Sequence, residues 1–143
     1  MFDISIKKHE KLKDLFSLAK NQGLNYGDLS EKQISLIKSS SHWSYNFCNS
    51  IFKKDIPEFT EVFLRHKSTR YSYKYARFVR RSRIEELEPI IALSAKYSFN
   101  YARFVVKGRF VLGETCILKS QEFRDRYLTL LKKLKNYDAV QST

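Results

Sequence analysis

Arg70-Tyr71-Ser72-Tyr73-Lys74-Tyr75-Ala76-Arg77-Phe78-Val79-Arg80-Arg81-Ser82-Arg83 is the most basic run of the chain and the middle copy of an internal repeat. Moved on by 26 residues it lies over Tyr97-Ser98-Phe99-Asn100-Tyr101-Ala102-Arg103-Phe104-Val105, with Arg109 matching Arg83. Moved back by 28 it lies over Trp43-Ser44-Tyr45-Asn46-Phe47-Cys48, and a looser copy follows at Phe123-Arg124-Asp125-Arg126-Tyr127-Leu128. Each copy reads as a helix A, a short turn, a helix B and a serine that caps the next helix. The expected helices are 42–53 and 56–66, then 70–81 and 84–93, then 95–107 and 110–118, then a last one at 121–136.

A unit of 26–28 residues is too small to bury its apolar face alone, and packing against its neighbours solves that. The predicted fold is therefore all-α: stacked helical hairpins in a short solenoid. One domain spans 1–143, with a helical cap at 1–40, repeats at 41–120 and a capping helix at 121–136. Periodicity places Tyr71, Tyr75, Phe78 and Val79 in the core, with Tyr97, Tyr101, Phe104, Val105 and Trp43, Phe47, Ile51 as equivalents. Ala76 and Ala102 are small where two helices must approach. Gly23 and Gly108 read as helix stops. Asp28 or Ser30 reads as a cap, and Pro89 as either a kink or the true start of its helix. Phe2, Ile4 and Ile6 alternate with polar residues, so residues 1–8 read as a short strand or an extended arm.

Phe99-Asn100-Tyr101-Ala102-Arg103-Phe104-Val105-Val106-Lys107-Gly108-Arg109-Phe110-Val111-Leu112-Gly113-Glu114 resembles a short α-helical repeat of bacteriophage and large-virus proteins. That repeat reads aromatic-x-Tyr-Ala-x-x-Val-x-x-Gly-Arg-aromatic-x-x-x-Glu. The resemblance covers about residues 40–130. The second copy keeps the Tyr-Ala and the Arg but has Ser82 for the Gly, and the first has Asp55 for the Arg. The resemblance implies an all-helical stack and a phage source, hence the cytoplasm of a bacterial host. It implies no activity and no active site.

The charge is uneven. The chain carries 27 Lys/Arg against 15 Asp/Glu, a net +12. Residues 1–60 hold nine of those cations and seven of the acids, so nearly all of the excess lies in 61–143. Such an excess asks for solvation or for a polyanion. Between Val62 and Ile84 there is no acid. Arg70, Lys74, Arg77 and Arg81 are spaced as one stripe of an α-helix, with Arg80 beside it. One copy on, the stripe reads Lys96, Asn100, Arg103, Lys107; one copy back, His42, Asn46, Asn49, Lys53. Tyr73, Phe99 and Tyr45 are expected beside this face, where they would stack on bases.

The predicted site is thus Arg70, Lys74, Arg77, Arg80, Arg81, Lys96, Asn100, Arg103, Lys107 and Lys53. Its expected partner is RNA or DNA held by the backbone, or else an acidic surface of a host protein. No enzyme chemistry, metal site or cofactor is expected. None of His9, His42 and His66 is paired with a Cys, Asp or Glu at a recognisable spacing, and no phosphate loop or nucleophile elbow is present. Cys48 and Cys116 read as buried free thiols. Arg83 and Glu88, recurring as Arg109 and Glu114, read as an internal tie rather than a site, and no run is apolar enough for a membrane span.

Overall fold

A computed structural model describes the backbone of residues 2–141 and the side chains of 5–135. Every regular element among them is helical, as expected. The chain divides into two compact units, Met1–His66 and Lys67–Thr143.

The first unit holds α1 (Phe2–Gln22), α2 (Glu31–Lys38), α3 (Ser41–Asn46) and α4 (Thr60–Arg65). Residues 2–8 are the first two turns of α1, neither strand nor arm. Three alternating apolar residues are too few to hold a strand with no partner strand, and the helical stretch behind them extends backwards instead. Gly23 ends α1 in the left-handed region at φ 63°. Of the two expected caps, Ser30 is the one that caps α2, reciprocally with Gln33. Asp28 instead accepts the Asn25 N–H at 2.8 Å in a single 3₁₀ turn. Leu12, Leu15 and Ala19 of α1 are buried, and Phe16 packs on Trp43 and on the edge of Phe47. Trp43 Nε1 donates to His9 Nδ1 at 3.2 Å, and Lys8 Nζ donates to the Ser39 carbonyl at 3.1 Å. The N-terminal helices thus share one core with the first copy of the repeat.

The second unit holds α5 (Thr69–Lys74), α6 (Glu88–Ile91), α7 (Ala95–Tyr101), α8 (Val111–Leu118) and α9 (Arg124–Gln141). The repeat in sequence is a repeat in local geometry. Ser40, Ser68, Ser94 and Ser120 each accept, at 3.2 Å, the N–H three residues on, from Trp43, Tyr71, Tyr97 and Phe123. Helix A is α-helical for its first turns only. It then widens into π-helical turns at Phe47–Phe52, Tyr75–Arg80 and Ala102–Val106. Each is closed by a cation in the left-handed region: Lys53 (φ 51°), Arg81 (φ 59°) and Lys107 (φ 57°). The expected stop at Gly108 therefore falls one residue earlier, on Lys107; the Lys107 and Gly108 N–H groups both go to the Ala102 carbonyl. Pro89 is at the start of α6, after a 3₁₀ turn at Glu85–Leu87, where its missing N–H is not needed.

The core differs from the expected stripe. Tyr75, Tyr101, Phe47, Ala76 and Ala102 are fully buried, as expected. Tyr71, Tyr97, Phe104, Val79, Val105 and Ile51 are only half-buried, and Phe78 is 40% exposed. Tyr73, Phe99 and Tyr45, expected beside the basic face, are buried at 4%, 5% and 6% exposure. They belong to the core and are not platforms for bases. The physical reason is that helix A is covered on more than one side, so its buried arc is wider than that of an outer helix. Of the two free thiols, Cys48 is buried but Cys116 only half so.

Candidate nucleic-acid interface

The predicted site residues fall into three groups by what holds them. Arg70, Arg81, Lys96, Arg103, Lys107 and, in the first unit, Lys53 are exposed. Lys74, Arg80 and Asn100 are half-buried. Arg77 is held by its neighbours: it donates to the Tyr73 hydroxyl at 2.8 Å and lies 3.6 Å from the centre of the Phe104 ring. Burial raises the Tyr73 phenol above its usual range, against the pull of Arg77, so the phenol stays neutral and accepts this bond. Arg77 thus ties one copy to the next.

The four cations of the second copy do not continue as one α-helical stripe. Arg70 and Lys74 lie in α5, Arg77 in the π-helical turn, and Arg81 in the left-handed residue that ends it. A wider turn and a reversed φ take Arg77 and Arg81 off the 3.6-residue period on which the stripe was counted. The same holds from Lys96 to Lys107. In the first copy, Asn46 turns its amide back onto the His42 carbonyl at 2.7 Å.

The left-handed cations are informative. An L-residue there is disfavoured by about 1–2 kcal/mol, and glycine escapes that penalty. Three copies nevertheless place Lys or Arg at this point. Lys107→Gly is expected to leave the melting temperature unchanged or slightly raised, by no more than about 1 kcal/mol in stability, because glycine also loosens the unfolded chain. Thermal melts of Lys107→Gly and Arg81→Gly check this.

Arg83 and Glu88 form a forked ion pair at 2.8 and 2.9 Å, and Arg109 and Glu114 repeat it at 2.7 and 3.0 Å. A tyrosine from the following copy completes each tie. Tyr101 OH donates to Glu88 at 2.5 Å and accepts the Ile84 N–H at 3.1 Å. Tyr127 OH donates to Glu114 and accepts the Phe110 N–H at 3.2 Å. Arg83 chiefly, with help from Tyr101, holds the Glu88 carboxyl below its usual range despite burial, and Arg109 does the same for Glu114. Burial and the carboxylate push the Tyr127 phenol up to about 12. Each carboxylate is engaged by both a guanidinium fork and a tyrosine hydroxyl, which suits a structural tie.

Sequence reasoning missed two cations. Shifting the repeat by 26 once more carries Asn100 onto Arg126 and Lys107 onto Lys133. Both line a cavity of about 550 Å³ with Phe99, Arg103, Asp125, Thr129 and Leu130. Among the described residues no helix is long and apolar enough to cross a membrane. No family model, curated protein or solved structure matches this chain.

Proposed function

We propose that this chain is a non-enzymatic binding protein, built as a short stack of helical hairpins, that holds the backbone of RNA or DNA on the basic side of its second unit. One observation carries the reading. Exposed cations recur at equivalent places in consecutive copies, Arg70 with Lys96 and Arg81 with Lys107, and the stretch from Val62 to Ile84 holds no acid. Stacked helices ~8–10 Å apart would let cations of successive copies reach phosphates of one backbone. A solvated face with no partner would tolerate Glu or Asp among them. The arrangement offers donors to phosphates and no base-reading motif, so sequence preference is weak. A role inside an infected bacterium would fit the resemblance to a phage repeat.

Binding to labelled single- and double-stranded RNA and DNA over a salt series tests this. Arg70, Arg81, Lys96 and Lys107 are exposed, so changing all four to Glu leaves the core intact. The wild type is expected to bind at about 10⁻⁶ M near 0.15 M salt, with affinity falling steeply as salt rises. The fourfold variant is expected to bind roughly 100-fold more weakly or worse, with a flatter salt dependence, because each lost phosphate contact removes about 0.7–0.9 from the slope. No binding at low salt overturns the proposal.

A second reading rests on Arg77, stacked on Phe104 beside the exposed Phe78. Arginine and aromatic anchors are frequent in protein interfaces, and the partner would then be an acidic surface of a host protein bound at fixed stoichiometry.

A further inference from the structure

The cavity around Arg103 has a counterpart one copy earlier, and the two differ in an instructive way. There Arg77 donates to the Tyr73 hydroxyl and stacks 3.6 Å from the Phe104 ring. Move each residue on by 26 and the set becomes Arg103, Phe99 and Leu130. Phe99 has no hydroxyl and Leu130 no ring. Arg103 is exposed and, among the described residues, makes no hydrogen bond or ion pair; it lies 4.8 Å from the Phe104 ring. Thr129 stands where Arg103 stands one copy earlier. Two smaller side chains, Thr for Arg and Leu for Phe, thus open a cavity of about 550 Å³ where the preceding copy is filled by its own aromatic ring. That volume is within the ~300–1,000 Å³ range of small-ligand sites.

The repeat indicates what fits. A guanidinium at this position takes a planar ring against its face. The walls add cations: Arg126 and Lys133 line the cavity, and Asp125, the one acid among its described lining residues, lies 3.6 Å from Arg124. We propose that this cavity seats one unstacked base of a single-stranded nucleic acid, its face against the Arg103 guanidinium and its flanking phosphates on Arg126 and Lys133. This rests on the backbone-binding reading and adds to it a preference for single strands, since a paired base cannot enter. An aromatic side chain of a protein would meet the ring requirement but would bring no flanking anions to the two cations.

The test replaces the missing ring. Leu130→Phe restores what the preceding copy has, so it is expected to fold, to melt at or above the wild-type temperature and to close the cavity. The probe is an oligonucleotide carrying 2-aminopurine, alone or annealed to its complement, at fixed salt. The wild type is expected to bind the single strand about tenfold more tightly than the duplex, as one stacked base provides, and to change the 2-aminopurine fluorescence. Leu130→Phe is expected to abolish that preference and the fluorescence change while leaving duplex affinity and its salt slope as they are. Arg103→Lys, which keeps the charge and loses the planar face, is expected to lower single-strand affinity severalfold.

Equal wild-type affinity for the two forms, or a preference that survives Leu130→Phe, overturns the base-seating proposal and leaves backbone binding standing. Failure of both strands to bind at low salt overturns the two together. Tighter binding of a Glu–Tyr copolymer than of the oligonucleotide, lost in Leu130→Phe, assigns the cavity to a protein side chain instead.

Discussion

Glu88→Ala is expected to lower the melting temperature by about 10 °C, corresponding to roughly 3 kcal/mol in a chain of this size. Glu88 is 3% exposed and accepts three hydrogen bonds, two from Arg83 and one from Tyr101. Truncation strands the Tyr101 hydroxyl proton in the core and leaves Arg83 without its counter-ion. Arg83 is half exposed and recovers water, which keeps the loss below that of a fully buried pair. Glu88→Gln is expected to fall between, and Tyr101→Phe to cost about 1–3 kcal/mol because the Ile84 N–H also loses its acceptor. The two sites touch, so their effects are expected to be less than additive in a double-mutant cycle. The sign of the pH effect follows from the lowered carboxyl. Glu88 contributes its full stability above the usual carboxylate value of 4.5, and that contribution is lost as pH falls through the lower folded value. The gap between wild type and Glu88→Gln should therefore narrow in acid below about pH 4.5. A gap that widens there would show that the carboxylate is not the stabilising form. The matching tie at Glu114 is more open to water, and its removal is expected to matter less.

What the sequence revealed here and what it hid have the same source. The caps, the Arg–Glu ties and the small Ala76 and Ala102 were legible because each is a local rule repeated at a fixed spacing. The left-handed cations and the π-helical turns were not. A turn closed five residues apart has no hydrophobic period of its own, and Lys or Arg at positive φ contradicts the rule that led to Gly108. The burial of Tyr73 and Phe99 was missed because a single apolar stripe was assumed for a helix covered on several sides. Of the candidate site, the cations of the first and last stripe positions are exposed, whereas Arg77, expected on the same binding face, is held by Phe104 and Tyr73. Arg126 and Lys133 needed only one more shift of the repeat. The cavity they line needed the structure, since it arises from side chains smaller than the repeat provides elsewhere.

Gly113→Leu is expected to unfold the second unit or lower its melting temperature by at least 10 °C, and Phe110→Ile in the same chain to recover a substantial part of that loss. Gly113 is buried, and a Cβ there would lie 2.6 Å from Ser98 Cβ and Oγ and 2.7 Å from Phe110 Cδ2. Ser98 Cβ is fixed to the backbone of α7 and cannot swing away, so even Gly113→Ala must push two helices apart, at about 1–3 kcal/mol or more. The preceding copy shows how the same place takes a larger residue. There Leu87 stands for Gly113 and Ile84 for Phe110, all four buried. The pair is thus Ile with Leu in one copy and Phe with Gly in the next, a trade of volume between two touching positions. The backbone follows the trade: Leu87 ends a 3₁₀ turn before α6, whereas Gly113 lies inside α8, which starts directly at Val111. Phe110→Ile alone opens a cavity and removes the ring that packs 4.8 Å from Tyr101, so it is destabilising by itself. Two harmful changes that partly cancel when combined are the signature of shared volume. Ser98→Gly, which removes the clashing Cβ, is expected to relieve Gly113→Ala, whereas Ser98→Ala, which keeps it, is not. Thermal melts of these single and double variants decide the matter: strictly additive losses would show that Gly113 is required for the start of α8 rather than for the space Phe110 fills.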